Sequence, residues 1–227
     1  MFDALLLTQE DKRTFAQVSQ ITEADLPEGE VLVDVAYSSL NYKDGLAVTG
    51  TGKIIRQFPM VPGIDFAGVV RESTDARYQV GDQVILTGWG VGENHWGGMA
   101  QKARVKADWL VPMPQGCDAA KSMMIGTAGL TAMLCVQALQ QAGITPQSGD
   151  ILVTGASGGV GSVAVTLLAN AGYRVVACSG RVEQNAPLLK ELGAAEVIDR
   201  SELELDARPL EALRWAGVVD TVGNKIL

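Results

Sequence analysis

Ser157, Gly158, Gly159 and Val160 lie in the run Ile151-Leu152-Val153-Thr154-Gly155-Ala156-Ser157-Gly158-Gly159-Val160-Gly161-Ser162. A short apolar stretch there ends in glycines. Val160, Val163, Ala164, Leu167 and Leu168 then recur at helical spacing up to Gly172. Strand, glycine turn and helix in that order suit a dinucleotide. Glycines let backbone N–H groups close on a pyrophosphate, which then sits at the positive end of the helix. The plain alternative is a structural turn of an α/β domain, and the next segment weighs against it. Tyr173-Arg174-Val175-Val176-Ala177-Cys178 reads as a buried strand and ends in Ser179-Gly180-Arg181. An acid at that place would accept from the ribose 2′-hydroxyl of NAD, and none stands here. Ser179 offers a hydroxyl, Gly180 a backbone open to close approach, and Arg181 a planar five-donor cation. That set suits the 2′-phosphate of NADPH. The other reading of Arg181 is a solvated loop arginine.

Elements must hold these groups in place. The chain has 227 residues, enough for one large or two small domains. Residues 1 to about 120 read as short strands with frequent Gly and Pro punctuation. Val31, Val33, Val35 and Tyr37 alternate with Leu32, Asp34 and Ala36. Asp65 to Val70, Gln83 to Leu86, Met99 to Val105 and Trp109 to Val111 follow as further runs. Strands at this spacing predict a β-barrel-like domain. Ala119 to Ala142 then reads as helix broken by Gly126 and Gly129. The α/β part comes next, with third and fourth strands at Glu196-Val197-Ile198-Asp199 and Val218 to Gly223.

The bulk properties exclude several classes. Net charge is −8 and no Lys/Arg cluster appears, against nucleic-acid or anionic-membrane binding. No apolar run is expected to reach membrane-spanning length. The N-terminus, Met1 to Leu7, carries no basic region and reads as a first strand. Cys117, Cys135 and Cys178 form no C-x-x-C pair, which points to a reducing, cytoplasmic setting without a cysteine metal site.

Four further segments carry a family resemblance: Ser38-Ser39-Leu40-Asn41-Tyr42-Lys43-Asp44, Val61-Pro62-Gly63-Ile64-Asp65-Phe66-Ala67-Gly68, Gly88-Trp89-Gly90-Val91-Gly92-Glu93-Asn94-His95-Trp96-Gly97-Gly98 and Gly126-Thr127-Ala128-Gly129-Leu130-Thr131-Ala132. With the β-rich half first, the whole chain resembles the quinone-oxidoreductase branch of the medium-chain dehydrogenase/reductases, and within it the NADPH-dependent acryloyl-CoA reductases. The resemblance implies an α/β protein with a GroES-like domain over 1–120 and an incomplete Rossmann domain over 121–227. The short-chain dehydrogenase turn is similar to Thr154–Gly161, but that family's downstream Tyr-x-x-x-Lys pair is absent here.

The resemblance also implies chemistry. Hydride passes from NADPH to the β-carbon of an α,β-unsaturated acyl-CoA, with a quinone or enone as the alternative substrate. Tyr42 and Lys43 sit where relatives meet nicotinamide and substrate. Thr127 matches a nicotinamide-side position, and a helix-cap role is equally open to it. Arg200 matches an arginine that reaches the adenosine phosphate. No metal is expected, because Asn41 and Ile64 stand where zinc-dependent relatives carry Cys and His. His95, the only histidine, is expected to order its loop or line the cleft. Mitochondrial enoyl-thioester reductases carry a tyrosine proton donor where this chain has Val48-Thr49-Gly50-Thr51-Gly52, so the donor stays open, water included. The full-length form is expected to be a homodimer. A Rossmann sheet of order 3-2-1-4-5-6 needs two strands beyond Val218–Gly223, so the chain is expected to be a piece. A catalytically incomplete NADPH-binding fragment is the reading that follows from that.

Overall fold

The structure, a computed structural model, describes residues 1–203 and 213–223. It divides into two compact units, Met1–Thr127 and Ala128–Leu227.

In the first unit, β1 (Phe2–Glu10) and β2 (Arg13–Ile21) form an antiparallel hairpin in full register, Phe2 against Ile21 and Glu10 against Arg13. Its two-residue turn, Asp11-Lys12, has positive φ at both positions, as a right-twisted hairpin demands. A five-stranded antiparallel sheet follows, in the order β6-β3-β4-β5-β7. Its strands are β3 (Val31–Ser38), β4 (Asp65–Ser73), β5 (Gln83–Thr87), β6 (Lys102–Val105) and β7 (Leu110–Pro112). Val31, Val33, Phe66, Val84, Leu86 and Val105 fill one face. The expected alternation along β3 fails at two places. Leu32 is buried too, because Phe2, Ala4, Ile21 and Val61 cover the second face. Tyr37 lies 53% exposed, beyond a register shift between Val35 and Tyr37. The short helix α1 (Tyr42–Thr49) lies between β3 and β4 and buries Ala47 against Leu7 and Met60.

Helix α2 (Ala119–Gln141) leaves helical geometry at Gly126, φ 49° and ψ −161°, a conformation that only glycine adopts without strain. Gly129 does not break it, contrary to the sequence expectation, since an isolated glycine merely weakens a helix. By length and composition α2 is apolar enough to cross a membrane, which the sequence reading did not expect, and it is the one such helix among the described residues. Only part of it is core: Ala132 and Val136 pack with Ile151, Val153 and Leu168, while Met124, Ile125 and Leu134 are exposed.

In the second unit β8 (Ile151–Val153), α3 (Gly159–Asn170), β9 (Val175–Ser179), α4 (Val182–Glu191), β10 (Glu196–Asp199) and β11 (Gly217–Val219) alternate. The four strands are parallel in the order β10-β9-β8-β11, which is 3-2-1-4 in unit order. Both faces are covered, as parallel strands require. Ile151, Val153, Val175 and Ala177 face one core, and Leu152, Val176, Cys178 and Ile198 the other.

Candidate active site

The second unit places a glycine turn at the carboxyl ends of its strands. The chain turns from β8 through Thr154–Gly158 into α3, with Gly158 N donating to Gly155 O at 2.8 Å. A Cβ on Gly161 would stand 2.3 Å from Gly155 O, so only glycine lets the first helical turn lie against the loop. Gly158 is the N-cap and no side chain caps the helix. The amides of its first turn therefore point outward uncapped, and Ser157, Gly158 and Gly159 are exposed. Val160 is half-buried against the core. The loop is tied to the end of β11: Thr154 donates to Asp220, Thr221 N donates to Thr154 Oγ1 at 3.0 Å, and Thr221 Oγ1 donates to Thr154 O at 2.9 Å.

Beside this turn lies a small cavity of about 80 Å³ lined by Gly155, Ser157, Ser179, Gly180, Arg200 and Val222. The Arg200 Cζ is 3.6 Å from where a Cβ on Gly180 would be. The structure thus brings Ser157, Ser179, Gly180 and Arg200 together. Ser179 is buried at 4% exposure, and its Oγ accepts from Asn185 Nδ2 at 3.0 Å and Arg181 N at 3.4 Å. Two lone pairs are used, and among the described residues the O–H proton meets no acceptor. Arg181 is exposed at the N-cap of α4 and does not line the cavity. An uncapped helix start, a dry hydroxyl and a guanidinium over a glycine fit a dinucleotide carrying an extra phosphate.

The first unit carries the other expected residues. Asn41 stands at the start of α1, and its N–H donates to Asp44 Oδ2 at 2.9 Å. Asp44 is buried and also accepts from Ile64 N at 3.2 Å. Burial pushes its carboxyl up against the Asn41 and Ile64 hydrogen bonds that favour the charge. Tyr42 is 84% exposed on the first turn. The Lys43 ammonium pairs with Glu93 at 2.9 Å, and Arg56 Nε lies 4.0 Å from the other oxygen of the same carboxylate.

Thr127 is held by a residue that the sequence reading missed. Asp65, fully buried at the start of β4, accepts from Ser39 Oγ at 2.6 Å, Thr127 N at 2.9 Å, Asn41 Nδ2 at 3.2 Å and the Thr127 hydroxyl. The Asn41 amide also donates to Ser39 Oγ at 2.8 Å. The signal was an acid opening the strand Asp65-Phe66-Ala67-Gly68-Val69-Val70, where a buried charge demands donors. His95 Nε2 lies 2.8 Å from Arg104 O, and its ring meets Trp109 edge-on at 4.9 Å. With a carbonyl opposite, Nε2 carries the proton. His95 orders its loop, and burial holds its pKa below the usual 6.5. Among the described residues no three His, Cys, Asp or Glu side chains converge as a metal site.

Comparison with known proteins agrees with this geometry. The alcohol dehydrogenase GroES-like domain matches residues 27–115. The probable acrylyl-CoA reductase AcuI of Escherichia coli is 64% identical over 99% of this chain and 68% of its own. The acrylyl-CoA reductase AcuI of Ruegeria pomeroyi is 54% identical over 100% of this chain and 69% of its own. The yhdH oxidoreductase from Salmonella enterica, solved in complex with NADP, superposes with a TM-score of 0.96 at 59% identity, over 99% of this chain and 68% of that one. The chain belongs to the acrylyl-CoA reductase family, in the quinone-oxidoreductase-like branch of the medium-chain dehydrogenase/reductases.

Proposed function

We propose that this protein reduces the C=C bond of an α,β-unsaturated acyl-CoA with NADPH, acryloyl-CoA to propionyl-CoA. The observation that carries the reading is its likeness to acrylyl-CoA reductases along at least 99% of the chain. The uncapped turn at Gly158 and the Arg200 guanidinium over Gly180 support the cofactor. NADPH supplies the hydride that reaches the β-carbon, and water supplies the proton that the α-carbon takes up.

The residues divide the remaining work. Ser157, Gly158, Gly159 and Val160 hold the pyrophosphate through backbone N–H groups. Ser179, Gly180, Arg181 and Arg200 hold the 2′-phosphate. Tyr42 packs at the nicotinamide end, and Thr127 meets it from a backbone fixed by Asp65. Lys43 stabilises the negative charge that grows on the thioester oxygen, an interaction worth most at the transition state. Its ammonium has three donors, so pairing with Glu93 orients it and leaves two for the substrate. A cytoplasmic homodimer belongs to the same reading.

Steady-state NADPH oxidation with acryloyl-CoA, crotonyl-CoA and a benzoquinone tests it. Preferred turnover of acryloyl-CoA is expected. Faster turnover of the benzoquinone replaces the reading with a quinone reductase, and NADPH binding without turnover replaces it with a non-catalytic binder.

A further inference from the structure

A second cavity, of about 470 Å³, opens in the first unit between the turn of the β1–β2 hairpin and the segment that follows α1. Its size is that of a small-molecule site. Lys12, Lys53 and Arg56 line it, together with Gln9, Thr14 and Phe58, and no carboxylate does. In a chain of net charge −8 this is a local reversal of sign. Among the described residues Lys12 and Lys53 form no ion pair, and Arg56 reaches only Glu93, at 4.0 Å. Three cations converge with little to neutralise them.

Lys12 is held there at a cost. It occupies the second position of a two-residue hairpin turn with φ 65°, where glycine is the unstrained choice. A lysine kept in a strained backbone position beside a cavity points to use of its charge.

We propose that this cavity binds the 3′-phosphate and diphosphate of the coenzyme A half of the substrate. The proposal rests on the acyl-CoA reading above. The geometry places both ends of one ligand on α1. Tyr42 and Lys43 start that helix, and its C-cap, Gly50, lines the cavity. Eight residues of helix span about 12 Å, less than an extended pantetheine arm. Glu93 joins the two ends, since it pairs with Lys43 and accepts at its backbone carbonyl from Arg56 N at 3.0 Å. A thioester at Lys43 thus leaves the nucleotide phosphates within reach of Lys12 and Lys53. NADPH is also a phosphorylated nucleotide, but its phosphates have their own cradle at Gly158 and Arg200.

Calorimetric titration of the full chain with coenzyme A, dephospho-coenzyme A, pantetheine and NADPH tests the assignment. Wild type is expected to bind coenzyme A more tightly than dephospho-coenzyme A, and the Lys12→Gln/Lys53→Gln variant to lose about 10- to 100-fold in coenzyme A affinity. Its pantetheine and NADPH affinities should stay at the wild-type values. Lys12→Gly relieves the backbone strain while removing the charge, so it should fold at least as well and still lose coenzyme A affinity. The proposal is overturned if wild type does not bind coenzyme A, if the double variant binds it as wild type does, or if NADPH affinity falls in parallel. Coenzyme A affinity that depends on Lys12 and Lys53 in a protein that does not reduce acryloyl-CoA sustains the cavity and removes the reductase. Reduction of acryloyl-CoA with an unchanged KM in the double variant does the reverse.

Discussion

Replacing Asp65 removes the acceptor of several half-buried donors at once, and the size of the effect can be worked out. Its carboxylate accepts from Thr127 N, the Thr127 hydroxyl, Ser39 Oγ and Asn41 Nδ2, and the residue has no exposed surface. In Asp65→Ala, Ser39 and Asn41 still bond to each other and are partly satisfied. The Thr127 N–H and hydroxyl lose their carboxylate acceptor. Four hydrogen bonds to a charged acceptor, at about 1.5 kcal/mol each, make the loss about 6 kcal/mol. That is comparable to the whole stability of a modest domain. Asp65→Asn keeps one carbonyl oxygen for Thr127 N and gives up the charge, a loss of about 1–2 kcal/mol. Urea unfolding followed by tryptophan fluorescence is the assay, because Trp89, Trp96 and Trp109 all lie in the first unit. A loss below about 1 kcal/mol for the alanine variant, or a larger loss for asparagine than for alanine, refutes the reasoning.

Other perturbations separate the remaining roles. Lys43→Met should lower kcat on acryloyl-CoA by about 10²–10³ with KM for NADPH unchanged, the loss expected of an oxyanion donor. An unchanged kcat with hydride transfer rate-limiting removes Lys43 from the chemistry. Arg200→Ala should weaken NADPH by about 10- to 100-fold and NADH hardly at all, with Arg181→Ala weaker in effect because Arg181 lies outside the cavity. Equal wild-type affinity for the two cofactors in a fluorescence titration refutes both. Burial keeps folded His95 neutral below its usual 6.5, whereas the unfolded chain takes up the proton there. The unfolded state binds more protons, so stability drops as pH falls below 6.5, and His95→Gln should flatten that dependence. An unchanged slope in denaturant midpoints between about pH 5 and 7 counts against it. Chelators should alter neither activity nor melting, since Asn41 and Ile64 offer no metal ligand, and stoichiometric zinc in the purified protein would overturn this.

The parts legible in the sequence were local. The glycine turn and its helix are contiguous, and apolar runs of parallel strands declare themselves without alternation, so the 3-2-1-4 half was readable. Strand β2 was not. Arg13 to Gln20 is exposed at nearly every position and is held by backbone pairing to β1 rather than by an apolar face. Helix α1 was not either. It holds Gly45, Val48 and Thr49 in eight residues, weak helix formers, and owes its formation to the Asn41–Asp44 hydrogen bond and to Ala47 under Met60. The Asp65 network joins positions 39, 41, 65 and 127, a set that no window of sequence contains.

That network also changes what Thr127 means. A Cβ on Gly126 would stand 2.9 Å from Asp65 Oδ2, and the φ of 49° there is itself hostile to a side chain. The glycine, the acid and the threonine therefore require one another. Glycine lets the backbone turn, the turn presents Thr127 N to the carboxylate, and the carboxylate satisfies the donors that the turn exposes. The hydroxyl and N–H of Thr127 are both oriented by Asp65. That orientation comes from a residue with no exposed surface, so it would act on the proposed cofactor contact only through Thr127. Asp65 positions Thr127, and the nicotinamide contact proposed for Thr127 rests on that placement.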